Sequence, residues 1–376
     1  MTTEPRRLDF SPYLRREPIT LALLTGMAVV FFLAVSALSS LHDSQRESLA
    51  ERWAGRGVID LKLRQYEPAV VDFRTALLYT RDSSAYELSL AQALMGLGRE
   101  DEAQAYLVNL WEREPDNGLV SLELARIAAH KNQTEQALRY YHNAIYATWA
   151  GDHGAARHQA RLELINYLLR IDARPHADAE LIDLAASYGR DAQEQLLLGQ
   201  LFERSGDAAR ALAAFQSALT RNRHNAAALA GAGSAAYQLS RFFEAQRYLE
   251  DARDAAPQDA AVAQQLSLVR TVLHWDPYLA RVSPAQRSRM ALDAFAAAGA
   301  RLKACVGATP AQQTLQQTWN KLEPQMRPGV LSRQPDLIDD AMNLAFQIEA
   351  QTTGNCGPQS ETDRALLLVA NLHEEN

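Results

Sequence analysis

Two patterns of apolar residues divide the chain. From Ile19 to Leu41 runs a block of 23 uncharged residues, "ITLALLTGMAVVFFLAVSALSSL". Beyond it, apolar positions recur at intervals of three and four, the period of helices with one buried face. Val, Ile and Thr form no alternating run that would read as a strand, whereas Ala, Leu, Gln, Glu and Arg dominate. An all-α chain is expected.

The first block has the length needed to cross a bilayer core, about 20 residues, and exceeds a secretory core of about 7–15. Those lengths favour a retained transmembrane helix at 19–41, in contact with the lipid bilayer, behind a cytoplasmic tail at 1–18. Val35-Ser36-Ala37 also offers small residues for cleavage after Ala37, so a removed signal peptide is the other reading. Arg6, Arg7, Arg15 and Arg16 precede the block, and Arg46, Arg52 and Arg56 follow it. That slight excess favours a cytoplasmic N-terminus.

A repeat lies beyond the block. Ala69, Ala103, Ala137, Ala177, Ala211 and Ala245 are spaced by 34, 34, 40, 34 and 34 residues. Four residues after each stands Phe73, Leu107, Tyr141, Leu181, Phe215 or Leu249, and twelve before each stands Gly57, Ala91, Ala125, Ile165, Gly199 or Gly233. Small residues in such a register let two helices approach to about 8–10 Å. A single hairpin of this kind cannot bury its face without neighbours.

This register resembles the tetratricopeptide repeat family over residues 50–259, with Trp53, Phe202, Pro115 and Pro257 near consensus positions and Gly98 and Gly206 in turns. The resemblance implies six helix–turn–helix units, at 50–83, 84–117, 118–151, 158–191, 192–225 and 226–259. The fourth is the poorest, with Ile165 and Tyr167 where small residues are usual. Six extra residues near "WAGDHGAARH" are expected to lengthen a helix or loop there. A capping helix is expected at 260–275.

The resemblance also implies a groove lined by the first helix of each unit. One family position falls on Val58, Gln92, Arg126, Asn166, Gln200 and Ser234, and another on Lys62, Gly96, His130, Arg170, Arg204 and Gln238. Amides and guanidinium groups there can hydrogen-bond an extended peptide, and Arg126, Arg170 and Arg204 would attract a carboxylate. A third position holds Ala54, Leu88, Leu122, Leu162, Leu196 and Ala230, where chaperone-binding relatives carry lysine. That lysine is missing, so apolar rungs suited to an amphipathic segment are expected instead. Simple solvated groove residues with no single ligand are the alternative.

The repeat stops near Asp276-Pro277, and four helices are expected in a domain at 276–376. They start at Ser283-Pro284, Thr309-Pro310, about Pro335, and Ser360 with Asp363 three residues on. Cys305 ends the first and Cys356 precedes the last. A disulfide between them would close a loop of about 50 residues and would need an oxidising compartment. Two unrelated buried thiols are the alternative.

Composition alters this picture only by exclusion. The 376 residues carry a net charge of −7, and no polybasic surface suggests nucleic acid. Only Lys62, Lys131, Lys303 and Lys321 are lysines, and with the abundant alanine this points to a GC-rich bacterial genome. Phosphate loops, HExxH, GxSxG and dinucleotide fingerprints are missing. Asp152, His153 and His158 have no standard metal-ligand spacing. No enzyme activity, cofactor, metal or small-molecule substrate is expected. The sequence thus reads as a non-catalytic protein-interaction scaffold or assembly factor in a bacterial inner membrane, with repeats and C-terminal domain in the periplasm. The alternative is a stoichiometric structural subunit of a membrane complex.

Overall fold

The computed structural model describes residues 17–149, 153–189, 191–280, 282–305, 309–353, 356 and 359–374. The arginines at 6, 7, 15 and 16, Asp152 and the side chain of His153 lie outside these. Among the described residues the secondary structure is helical, with one isolated backbone bridge between Asn117 and Thr148.

Helix α1 (Glu17–Lys62) is 46 residues long, about 69 Å at 1.5 Å per residue. No Gly-Pro or Asn-Gly break lies between its apolar stretch and the first repeat, so one helix serves both. Leu21 to Leu41 are exposed, and burial begins at Ala50 and Ala54. Among the described residues α1 is the one helix long and apolar enough to cross a membrane, with a mean hydropathy of 2.5 over its most apolar window.

Hairpins follow. They are the end of α1 with α2 (Tyr66–Tyr79), α3 (Ser84–Gly96) with α4 (Glu100–Arg113), and α5 (Gly118–His130) with α6 (Thr134–Tyr146). Next come α7 (His153–Arg170) and α8 (Arg174–Ser187), α9 (Ala192–Ser205) and α10 (Ala208–Arg221), and α11 (Ala226–Gln238) and α12 (Phe242–Ala255). All six ruler alanines are 0% exposed, and the bulky residues four positions on are buried. Asn117, Asp191, Asn225 and Asp259 cap the helices that follow them by accepting backbone N–H bonds, stopping each chain reversal at a fixed phase.

The turn inside each hairpin has one residue with positive φ: Arg64 (59°), Gly98 (74°), Asn132 (57°), Asp172 (56°), Gly206 (95°) and Ser240 (59°). These six are in phase with the alanine ruler. Only two are the glycines expected from sequence; the other four repeats hold an L-residue in the left-handed region against its steric preference.

The extra residues between the third and fourth units lengthen α7 to 18 residues, against 13 in α5. Trp149 folds back over Gly118, whose missing Cβ would otherwise lie 2.5 Å from the ring, and its indole N–H donates to Ala144 O at 2.9 Å. The chain divides into two compact units, residues 1–164 and 165–376, so the division falls inside α7.

In the second unit α13 (Ala260–Trp275) closes the repeats, and a helical domain follows. It comprises α14 (Pro284–Ala304), α15 (Pro310–Leu322), a 3-10 turn at Glu323–Gln325, α16 (Pro328–Leu331), α17 (Asp336–Thr352) and α18 (Glu361–Glu374). Ser283, Thr309 and Ser360 each take part in reciprocal capping bonds with Gln286, Gln312 and Asp363. Phe295, Leu302, Leu315, Trp319, Leu344 and Ile348 form the core, with the Phe295 and Trp319 rings stacked at 5.3 Å. The short α16, which buries Leu331, has no counterpart among the four expected helices. The capping helix is itself covered: α18 packs on α13, where Ser267 and Thr271 donate to Glu361 at 3.0 and 3.2 Å.

Candidate functional site

The first helix of each hairpin carries the residues expected to meet a partner, and each compact unit holds its own set. In the first unit, Gln92, Arg126 and the leucines lie on α3, α5 and α7. Gln92 Nε2 donates to Glu123 Oε1 at 2.9 Å, and Arg126 Nη1 reaches the same oxygen at 3.0 Å. Arg126 also donates twice to Glu163, at 2.8 and 2.6 Å, and Gln159 adds a bond at 2.9 Å. A polar ladder thus crosses three successive first helices.

This ladder corrects the expectation for Arg126. Its guanidinium is not free to attract a ligand carboxylate, because two carboxylates of the chain already hold it. The hydrogen bonds to Glu163, outweighing burial, and the charges of Glu123 and Glu163 raise its pKa. Burial alone would raise the Glu163 carboxyl, but the bonds from Arg126 and Gln159 and the Arg126 charge lower it instead. Glu123 and Glu163 were missed in the sequence, although each follows a groove leucine directly and Glu123 stands three residues before Arg126.

Leu122 is a second correction. It is buried at 3% exposure and packs within the repeats, so it is no rung for a ligand. Leu88 and Leu162 are half-buried and remain at the surface. His130 pairs with Glu100 at 2.7 Å.

In the second unit Asn166, Arg170, Gln200 and Arg204 are exposed, and Leu196 and Ser234 half-buried. Arg204 Nη1 donates to Asn166 Oδ1 at 2.8 Å, joining α7 to α9. Arg170 lies over the Tyr167 ring, 5.3 Å from its centre. Among the described residues neither guanidinium pairs with a carboxylate as Arg126 does, so this half of the set keeps cationic donors at the surface.

The helical domain brings Cys305 and Cys356 together as a disulfide pair with Cα atoms 5.0 Å apart. Gln312 Nε2 donates to Cys305 Sγ at 3.0 Å. Beside them Arg301 meets Asp363 at 3.2 Å and Glu349 at 3.9 Å. Glu349 is fully buried, and neither of its oxygens has a hydrogen-bond partner. Burial first, then the Asp363 charge, push its pKa up to about 7 against the pull of Arg301. Among the described residues, no three His, Cys, Asp or Glu side chains gather as a metal site.

The tetratricopeptide repeat family model matches residues 94–147 and 204–268. Many solved structures are similar in fold. The C-terminal part of a repeat-containing protein from Cytophaga hutchinsonii is 15% identical, with 63% of this chain and 92% of that one covered and a TM-score of 0.47. The pilF protein of Pseudomonas aeruginosa is 15% identical over 59% of this chain and 98% of its own, with a TM-score of 0.42. YrrB, a repeat protein with an unusual peptide-binding site, is 16% identical over 52% of this chain and 97% of its own, with a TM-score of 0.41. No curated protein matches the chain.

Proposed function

The chain is a tetratricopeptide repeat protein, and from that premise we propose that it is a membrane-anchored, non-catalytic scaffold or assembly factor. It holds a peptide or protein segment against the first helices of its repeats. The observation that carries this reading is the continuity of α1, in which an exposed apolar stretch and the first repeat are one helix. A helix so apolar has no stable place in water, and a repeat fused to it without a linker is held at a fixed distance from the bilayer. Exposed Gln200, Arg170 and Arg204 supply donors suited to a peptide backbone or carboxylate.

The proposed setting is a bacterial inner membrane, with residues 1–18 cytoplasmic, 19–41 spanning, and the repeats and helical domain periplasmic. The closeness of Cys305 and Cys356 supports an oxidising compartment. A structural subunit of a membrane complex is the second reading. It is favoured by Ile59, Leu63, Val71 and Leu78, which leave the first hairpin with exposed apolar side chains at 58–72%.

The experiment is thiol labelling of intact cells with a membrane-impermeant maleimide, before and after reduction, together with the mass of the mature chain. Labelling only after reduction, with residues 1–41 retained in the mass, is the expected result. Free thiols that label only after lysis would overturn the periplasmic assignment, and a mass beginning after Ala37 would overturn the anchor.

A further inference from the structure

A groove of about 690 Å³ runs along α17 in the helical domain, flanked by α15 and α18. Asp339, Asn343, Phe346, Gln347 and Ala350 recur at helical spacing and face it, so its length is about 18 Å at 1.5 Å per residue. The floor is apolar: Leu315, Phe346 and Ala370 lie there, each already more than nine-tenths buried. The rim is neutral and hydrogen-bonding, with Thr314, Asn343 and Gln347 exposed.

One end differs in charge. Asp276, buried, accepts the Tyr278 N–H at 2.9 Å and lies 3.1 Å from His373 Nε2. The His373 and Tyr278 rings stand 4.5 Å apart. Burial, followed by the Asp339 carboxylate to which it is hydrogen-bonded, raises the pKa of the Tyr278 phenol and keeps it neutral. Asp339 itself is exposed at the mouth, and Asp336 and Asp340 stand beside it on the same helix end. Among the described residues Asp339 enters no ion pair; His373 faces Asp276 and the Arg287 charge acts on Tyr278, while the exposed Asp336, Asp339 and Asp340 leave the mouth itself acidic.

We propose that this groove is a second protein-docking site, separate from the first helices of the repeats. Its occupant is a helical segment of a partner, about three turns long, with an apolar stripe on the Leu315–Phe346 floor and one Lys or Arg at the Asp339 end. The dimensions fit one helix, since 18 Å is about twelve helical residues. Exposed Ala311 and Ala350, standing above that buried floor, supply the apolar surface that helix-in-groove recognition covers. The carboxylate beside an aromatic ring supplies the two features that bind a cation, and sets the direction in which the helix lies. A small organic ligand is less suited, because the space is long and open along one side.

The test uses the full chain in lipid nanodiscs and a phage-displayed library of random 14-residue peptides as probe. Selected peptides are expected to be amphipathic, with Lys or Arg enriched near one end. Asp339→Lys and Gln347→Trp, both at exposed positions, are each expected to weaken those peptides at least tenfold while leaving the far-UV circular dichroism unchanged. Gln200→Trp, on the repeats, is expected to leave them unaffected. A library that yields no binder, binders without the basic residue, or binders displaced by Gln200→Trp and indifferent to Asp339→Lys would each overturn the proposal. The first two of these failures leave the repeat reading untouched, and the third would support it.

Discussion

Gly199 lies so close beneath Phe215 that a Cβ on it would sit 2.5 Å from the ring. Gly231, on the first helix of the next repeat, meets the same ring with its own missing Cβ at 2.4 Å. One phenyl group therefore fills the space left by two glycines, and ties successive hairpins together. Gly199→Leu has no room to relax on either side. It is expected to destabilise the second unit by roughly 1–3 kcal/mol, the usual cost of overpacking, read as a lower chemical-denaturation midpoint. An unchanged midpoint would mean that this contact does not set the register.

The turn residues lead to the opposite sign. Arg64 and Ser240 hold φ near +59° with a Cβ attached, which costs an L-residue about 1–2 kcal/mol. Arg64→Gly and Ser240→Gly are expected to stabilise the fold by up to about 1 kcal/mol, after allowing for the greater freedom of glycine in the unfolded chain. Gly206→Ala, at φ 95°, is expected to destabilise by about as much. Thermal unfolding of the three variants checks both directions.

Arg126 joins two helices through Glu123 and Glu163 and is itself more than a third exposed. Arg126→Gln leaves two carboxylates near one another without their cation. The expected loss is about 1 kcal/mol, discounted for solvent screening, and it should shrink as salt is raised from 0.05 to about 1 M. A loss independent of salt would mean that packing of the side chain, rather than its charge, is what matters.

Glu349 makes stability depend on pH in an unusual direction. Its carboxyl titrates near 7 in the folded chain and near 4.5 in the unfolded one. Between those values the folded state holds a proton that the unfolded state has lost, so stability falls as pH rises through the window. The effect amounts to about 3 kcal/mol in the limit. The cause is burial first, with the neighbouring Asp363 charge adding to it, and together they outweigh the pull of Arg301. Glu349→Gln is expected to be relatively more stable than the natural chain at pH 8 than at pH 5. Parallel pH profiles of the two denaturation midpoints would refute this.

Much of this architecture was legible because it depends on residue size at fixed intervals. The alanine ruler, the glycines opposite Phe73, Phe215 and Leu249, and the Ser and Thr caps of the last helices all act locally or between adjacent helices. What escaped the sequence depends on contacts between distant segments. Glu163 reaches Arg126 across 37 residues and the irregular 40-residue spacing, and Glu361 meets Ser267 across 94. The left-handed turns at Arg64 and Ser240 escaped for another reason, since neither residue type signals positive φ. The groove residues were the hardest to read: the family resemblance alone suggested Arg126 as a ligand group, and only the folded helices bring it two internal carboxylates.

Site-specific photocrosslinking in intact cells asks whether the first helices of the repeats hold a protein segment. A photoreactive residue is placed at Gln200 or Ser234, and at exposed Ala209 on the second helix of the same hairpin as a control. A discrete protein adduct is expected from Gln200 and Ser234 and none from Ala209. Adducts arising equally or only from Ala209, or none from either groove position, would contradict it.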